Sequence, residues 1–214
     1  MKVVEAGPFG EWLAAMRAVL RGERDADVPC GDCVGCCVSA YPIPLRPTDH
    51  VALDKVPARH LHLPSESGGL ARMGYGEDGI CPMLCAGTCS IYRGRPQTCR
   101  DYDCRIYAAT GLLPDGQRPV IRERVLAWRF EPGSAEDVAA AAAVRAAGQF
   151  IRRHADAFPA SMRAGSATAA AVLAVKTYQV FSPADGLPAV MEGEARTVER
   201  VIATAHAFDL ASPK

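Results

Sequence analysis

A chain of 214 residues with 49% hydrophobic content can bury an ordinary globular core, which argues against a disordered chain. Its 24 basic residues balance 24 acidic ones, which excludes the broad electrostatic footprint of a nucleic-acid or membrane-surface binder and leaves only local basic patches. No window approaches the roughly 18 to 20 uninterrupted apolar residues needed to span a bilayer; even the alanine-rich stretch from Val138 contains Arg145 and Gln149.

At the N-terminus, Glu5, Glu11 and Arg17 interrupt the apolar stretch and leave no secretory hydrophobic region, so a cytoplasmic protein is expected. Trp12, Leu13, Met16, Val19 and Leu20 fall at helical spacing, which predicts an amphipathic helix over residues 9–21 ending at Gly22. Residues 38–47 carry Pro42, Pro44 and Pro47, too much proline for an interior strand but compatible with a short extended edge segment. Thr48 is placed to cap a short helix through Lys55. Glycine, serine and proline accumulate over residues 60–79, which reads as a loop. Cysteines and basic residues interleave over 81–113, with a short helix expected at 100–109. The β-branched and aromatic residues of 120–130 read as a strand.

After Pro132 and Gly133, the run Ser134-Ala-Glu-Asp137 has the form of a capping box with Asp in place of Glu, opening an alanine-rich helix to about His154. Further helices are expected over 166–180 and 192–208. The fold class is therefore α+β and mainly helical. A loop-rich, metal-organised part with short strands spans 1–131, and a helical region spans 132–214, packed on the first or standing apart.

Nine cysteines lie between positions 30 and 104, and none occurs in the last 110 residues. An odd count without an export signal argues against disulfides, because a reducing compartment keeps thiols free for metals or catalysis. Cys30-Gly-Asp-Cys33-Val-Gly-Cys36-Cys37 spells C-x2-C-x2-C-C, in which two intervening residues let a tight turn aim both sulfurs at one centre. Gly31 and Gly35 supply backbone freedom for such turns. Cys36 and Cys37, being adjacent, point in different directions in a helix or a strand, which suggests two centres. The second stretch holds Cys81, Cys85, Cys89, Cys99 and Cys104. A C-x2-C-x2-C run with a remote cysteine before proline is similar to ferredoxin runs, whereas zinc knuckles more often combine two C-x-x-C pairs. The spacing leans towards an iron–sulfur cluster, with zinc as the alternative. Four thiolates on zinc, or on an oxidised four-iron core, leave a charge of about −2, so nearby donors are valuable. Arg93, Arg95, Arg100 and Arg105 are placed in sequence to provide them, and Arg95 and Arg100 are the candidate cofactor-binding pair.

At these residues the chain resembles the CxxCxxCC cysteine-cluster family, called YkgJ-like, a zinc- or iron-chelating domain. The first signature is Cys30, Cys33, Cys36 and Cys37; the second is Cys81-Pro82-x-Leu84, Cys89-Ser-Ile-Tyr92, Arg95-Pro96, Cys99-Arg100 and Cys104. The resemblance implies eight metal ligands: Cys30, Cys33, Cys36, Cys37, Cys81, Cys89, Cys99 and Cys104. Cys85 departs from the pattern and reads as a small buried hydrophobe. The domain is also similar to the cysteine-rich part of flagellin lysine N-methylases, which implies a cluster-dependent methyltransferase as one outcome, with no catalytic residue carried over.

Other signals are weaker. Gly74-Tyr-Gly76-Glu-Asp-Gly79 satisfies G-x-G-x-x-G, but no clear strand precedes it and Cys81-Pro82 follows where a helix should begin. His60 and His62 read as solvated loop histidines, and Asp101, Tyr102 and Asp103 as helix-surface polarity with one packed tyrosine. Two functions are expected: a metal-binding protein holding a 4Fe–4S cluster for redox or methyl-transfer chemistry, or a zinc-binding structural or metal-delivery module without catalysis. The expected partners are metal ions, and a protein or substrate on the C-terminal helices.

Overall fold

The computed structural model describes residues 3–41, 43–63, 69–116, 118–182 and 193–211. In chain order these form β1 (Val4–Pro8), α1 (Phe9–Leu20), a 3-10 turn at Gly35–Val38, β2 (Ile43–Leu45), α2 (His50–Lys55), β3 (Leu61–His62), β4 (Ala71–Met73), β5 (Leu84–Cys85) and β6 (Thr88–Cys89). They continue with α3 (Gln97–Asp101), α4 (Arg105–Thr110), α5 (Pro119–Ala127), β7 (Trp128–Glu131), α6 (Ala135–Arg153), α7 (Ala167–Thr177) and α8 (Glu194–Leu210). The class is α+β and mainly helical, as expected. Among the described residues no helix is long and apolar enough to cross a membrane.

The chain divides into two compact units, one of Met1–Asp25, Asp103–Gln117 and Arg122–Lys214, the other of Ala26–Tyr102 and Arg118–Ile121. The first is helical around one small parallel pair, β1 with β7. Its core brings Ala143, Ala147 and Ile151 of α6 against Ala170 and Ala174 of α7 and Val201 and Ala205 of α8. These residues recur at four-residue spacing, so each helix buries a single stripe. Gly148 of α6 lies so close to α4 that a Cβ there would stand 2.9 Å from both the Cβ and the carbonyl oxygen of Thr110. Arg17 of α1 donates to the carbonyl oxygens of Val175 and Lys176, satisfying the end of α7. The capping box forms as read: Asp137 N donates to the Ser134 hydroxyl and Ser134 N to the Asp137 carboxylate.

The second unit holds a three-stranded antiparallel sheet of order β2-β4-β3 and the separate hairpin β5-β6. Its core cluster is small: Ile43, Leu45, Ala52, Val56, Met73, Cys81 and Met83. β2 is an edge strand, consistent with Pro44 inside it.

Several local readings are corrected. Residues 119–127 are helical and only 128–131 are extended: Pro119 opens the helix, and Ile121, Val125 and Trp128 are buried at helical spacing despite their strand-forming types. The helix expected over 100–109 is two helices, because Asp103 turns inward and its Oδ1 accepts from the Arg105 amide at 2.9 Å. The short helix before Lys55 begins beyond Asp49 rather than at Thr48, and Asp49 instead accepts from the amides of Arg46 and Gln97. The loop over 60–79 contains β3 and β4, and residues 64–68 of it lie outside the described residues. The last helix starts at Glu194; Glu192 lies outside the described residues.

Candidate metal centre

The first cysteine stretch is shaped by two turns. Cys33 N donates to the Cys30 carbonyl at 3.0 Å across Gly31, whose φ of 57° is the left-handed backbone the sequence suggested there. Gly35 N then donates to the Cys33 sulfur at 3.4 Å, and the 3-10 turn Gly35–Val38 presents Cys36 and Cys37. Cys81 enters from the second stretch, its amide donating to the Cys37 carbonyl at 2.7 Å. Cys89 is placed by the β5-β6 hairpin, whose turn residues Ala86 and Gly87 both have positive φ, 48° and 78°, as a two-residue type I′ connection requires. Cys99 comes from α3, the helix that packs against β2.

These elements place Cys36, Cys37 and Cys81 beside one another, with Cys89 and Cys99 within electrostatic reach. The Cys37 thiol is hydrogen-bonded to the sulfurs of both Cys36 and Cys81. Cys37, Cys89 and Cys99 pack against the apolar cluster that contains Cys81. Cys36 and Cys37, adjacent in the 3-10 turn, both lie within reach of Cys81 or of one another. None of the nine cysteines is paired in a disulfide. Among the described residues no three His, Cys, Asp or Glu side chains form an ion-holding group.

Electrostatics shows what an ion would relieve. The hydrogen bond from Cys37 draws Cys36 down to about 7. Cys81 is likewise drawn to about 7 by Cys37, helped by the amides of Met83 and Leu84. Cys37, the shared donor, is held far above its usual value. Burial, reinforced by the charges of Cys36, Cys81 and Cys89, pushes Cys99 up to about 12. Burial also raises Cys89, against the pull of its bond from the Ile91 amide and the charge of Arg95. Thiolates this close repel one another, and a bound cation is what allows them all to ionise. Soft sulfur donors suit zinc and iron, so the residues present fit the metal.

Arg95 lies over the Tyr92 ring at 4.2 Å, and its charge lowers both Cys89 and Cys99. Arg100 donates to the Gln97 amide oxygen, and Arg105 is committed to Asp103. Cys85 is exposed on the hairpin rather than buried, because its β5 side chain alternates away from the core-facing Leu84. Cys104 belongs to the helical unit, where its sulfur accepts from the Trp128 indole N–H at 3.2 Å.

The sequence reading missed two residues. Tyr75 packs against the same cluster as Cys37, Cys81, Cys89 and Cys99, and its hydroxyl donates to the Cys36 carbonyl at 3.4 Å. Nothing in its surroundings of glycines signals this. Asp103 is not surface polarity: it is 4% exposed and paired with Arg105. The G-x-G-x-x-G run does follow a strand, β4, but turns back through Gly79 N to Gly76 O without opening a helix.

Both cysteine stretches fall inside the segment that a family model matches. Residues 29–116 match the CxxCxxCC family model, described as "Putative zinc- or iron-chelating domain". The CxxCxxCC segment covers both cysteine stretches, and its description supports metal binding by this chain. No curated protein and no solved structure matches the chain.

Proposed function

We propose that the chain holds iron through its CxxCxxCC segment, as an iron–sulfur cluster of the 4Fe–4S type, and uses it in redox or methyl-transfer chemistry. The observation that carries metal binding is the Cys81 amide donating to the Cys37 carbonyl at 2.7 Å, which joins cysteines more than forty positions apart in sequence. Cluster over single ion is favoured by the ferredoxin-like spacing of Cys30, Cys33 and Cys36, since zinc knuckles more often combine two separate C-x-x-C pairs. Cys30, Cys33 and Cys104 complete the proposed ligand set by resemblance, and Arg95 and Arg100 supply charge to it. A bound cluster would contribute electron transfer or substrate activation; the protein's part is to place the sulfurs and the Arg95 charge. The helical unit carries an open cleft of about 680 Å3 walled by Phe9, Trp128 and Phe130, suited to a substrate or partner.

One observation favours a second reading. Among the described residues the cysteine unit buries a small apolar cluster, and units of that kind commonly need a staple. A structural zinc ion, in a module that binds or delivers metal without catalysis, would supply it.

Anaerobic purification tests both. Brown protein absorbing at about 400 nm with matching iron and acid-labile sulfide supports the cluster. Colourless protein carrying zinc alone overturns it in favour of the structural ion. Protein that takes up neither metal overturns metal binding altogether.

A further inference from the structure

The two tryptophans of the chain send their indole N–H groups to consecutive residues. Trp12 Nε1 donates to Asp103 Oδ2 at 3.0 Å, and Trp128 Nε1 donates to the Cys104 sulfur at 3.2 Å. Asp103 is also clasped by Arg105, whose Nη2 donates at 2.7 Å, and Arg105 Nη1 donates to the Ala6 carbonyl at 3.0 Å. The backbone on either side of Cys104 is therefore fixed by a buried ion pair, and its sulfur by a buried ring.

We infer that Trp128 is a positioning residue for the Cys104 sulfur, holding it in place and drawing charge from it when it carries metal. This rests on the reading of Cys104 as a ligand. The argument is one of donor and acceptor strength. A buried indole N–H ordinarily finds an oxygen, as Trp12 does, and a neutral thiol is a weak acceptor. Trp128 is 2% exposed and has committed its one donor to sulfur at short range. Such a bond gains most when the sulfur bears the charge of a metal-bound thiolate. Donors of this kind, outside the ligand set, orient ligands and tune the metal they hold. Trp128 is carried by β7, paired with β1, and Cys104 by the start of α4, so donor and thiol come from different elements.

The test uses the full chain and Co(II), which reports thiolate ligation through its charge-transfer absorption. In the metal-free protein, Cys104→Ser should brighten tryptophan emission, because a thiol against the indole quenches it; unchanged emission overturns the contact. In the Co(II) form, Cys104→Ser should lose part of the thiolate band. A full band there overturns Cys104 as a ligand, and with it the inference, while the emission result still stands. Trp128→Phe should keep the Co(II) stoichiometry, shift the thiolate band to lower energy and lose metal to a chelator about tenfold faster. An unmoved band and rate in that variant overturn the inference even where Cys104 proves a ligand. If Trp128→Phe does not fold, biosynthetic 5-fluorotryptophan leaves the packing intact and makes the N–H a stronger donor. The band should then move to higher energy, and an unmoved band is again the overturning result.

Discussion

The amide of Cys81 donates to the carbonyl oxygen of Cys37 at 2.7 Å, so the two cysteine stretches are joined through backbone as well as through thiols. That bond fixes where Cys81 stands relative to the 3-10 turn and leaves the Cys37 thiol able to reach both neighbours. Cys37→Ser and Cys99→Ser should each weaken metal binding by at least about tenfold, since each removes a sulfur from the shared field. Cys85→Ser, on the exposed hairpin, should leave affinity within about twofold. Competition against a chelator of known affinity measures all three. Equal affinities for Cys37→Ser and the parent chain would remove Cys37 from the centre.

How much of this could be read beforehand depends on how local each signal is. The helices α1 and α6 were legible, because one buries a stripe of Trp12, Leu13 and Met16 and the other opens on Ser134 and Asp137. The turn around Gly31 was legible for the same reason. Residues 120–127 were not: Val120, Ile121 and Val125 favour strands intrinsically, and only tertiary burial of Ile121 and Val125 made the segment a helix. The eight cysteine ligand candidates were implied by the family resemblance, which the two cysteine motifs carry. The thiol shared by Cys36 and Cys81, the wall made by Tyr75 and the buried Asp103 depend on contacts between residues far apart in sequence, which no spacing encodes.

The thiols give the metal-free chain a stability maximum near pH 9. Cys36 and Cys81 fall from 9.0 to about 7 on folding, so their contribution is complete above 9 and lost as pH falls towards 7. Cys99 rises from 9.0 to about 12, so its contribution is complete below 9 and lost as pH climbs towards 12. Cys37 shifts in the same direction as Cys99, and Tyr75, raised from 10.0, adds to the alkaline loss. Thermal melts of the metal-free protein between pH 7 and 11 should rise and then fall. A melting temperature that keeps rising beyond pH 10 would contradict this.

Gly148 tests the helical unit independently of metal. Its position on α6 allows α4 to approach until Thr110 touches the glycine backbone. A helix-interior glycine replaced by alanine would ordinarily gain about 0.5 to 1 kcal/mol. Here the added methyl meets the Thr110 carbonyl and Cβ at 2.9 Å, neither of which can swing aside, and Thr110 Oγ1 is itself tied to the Ile106 carbonyl. Gly148→Ala should therefore destabilise the chain by about 1 to 3 kcal/mol, as overpacking does. Denaturant midpoints would show it, and a stabilised variant would mean that α4 and α6 can separate without loss.

Asp103 carries the largest expected cost. Its carboxylate accepts from Trp12 and from the Arg105 guanidinium, and the two charged side chains are 3% and 10% exposed. Replacing such a pair by fitted apolar groups can be neutral, but deleting one partner leaves a buried charge without compensation. Asp103→Ala would take from Arg105 the carboxylate it is paired with and from the Trp12 N–H its acceptor. The expected loss is about 3 to 5 kcal/mol. Asp103→Asn keeps an acceptor for Trp12 and should lose less. Urea unfolding followed by tryptophan emission measures both, with an unchanged m-value confirming that stability alone has moved. A loss under about 1 kcal/mol in Asp103→Ala would show that Arg105 finds water or another acceptor, and that the ion pair does not fix the backbone around Cys104.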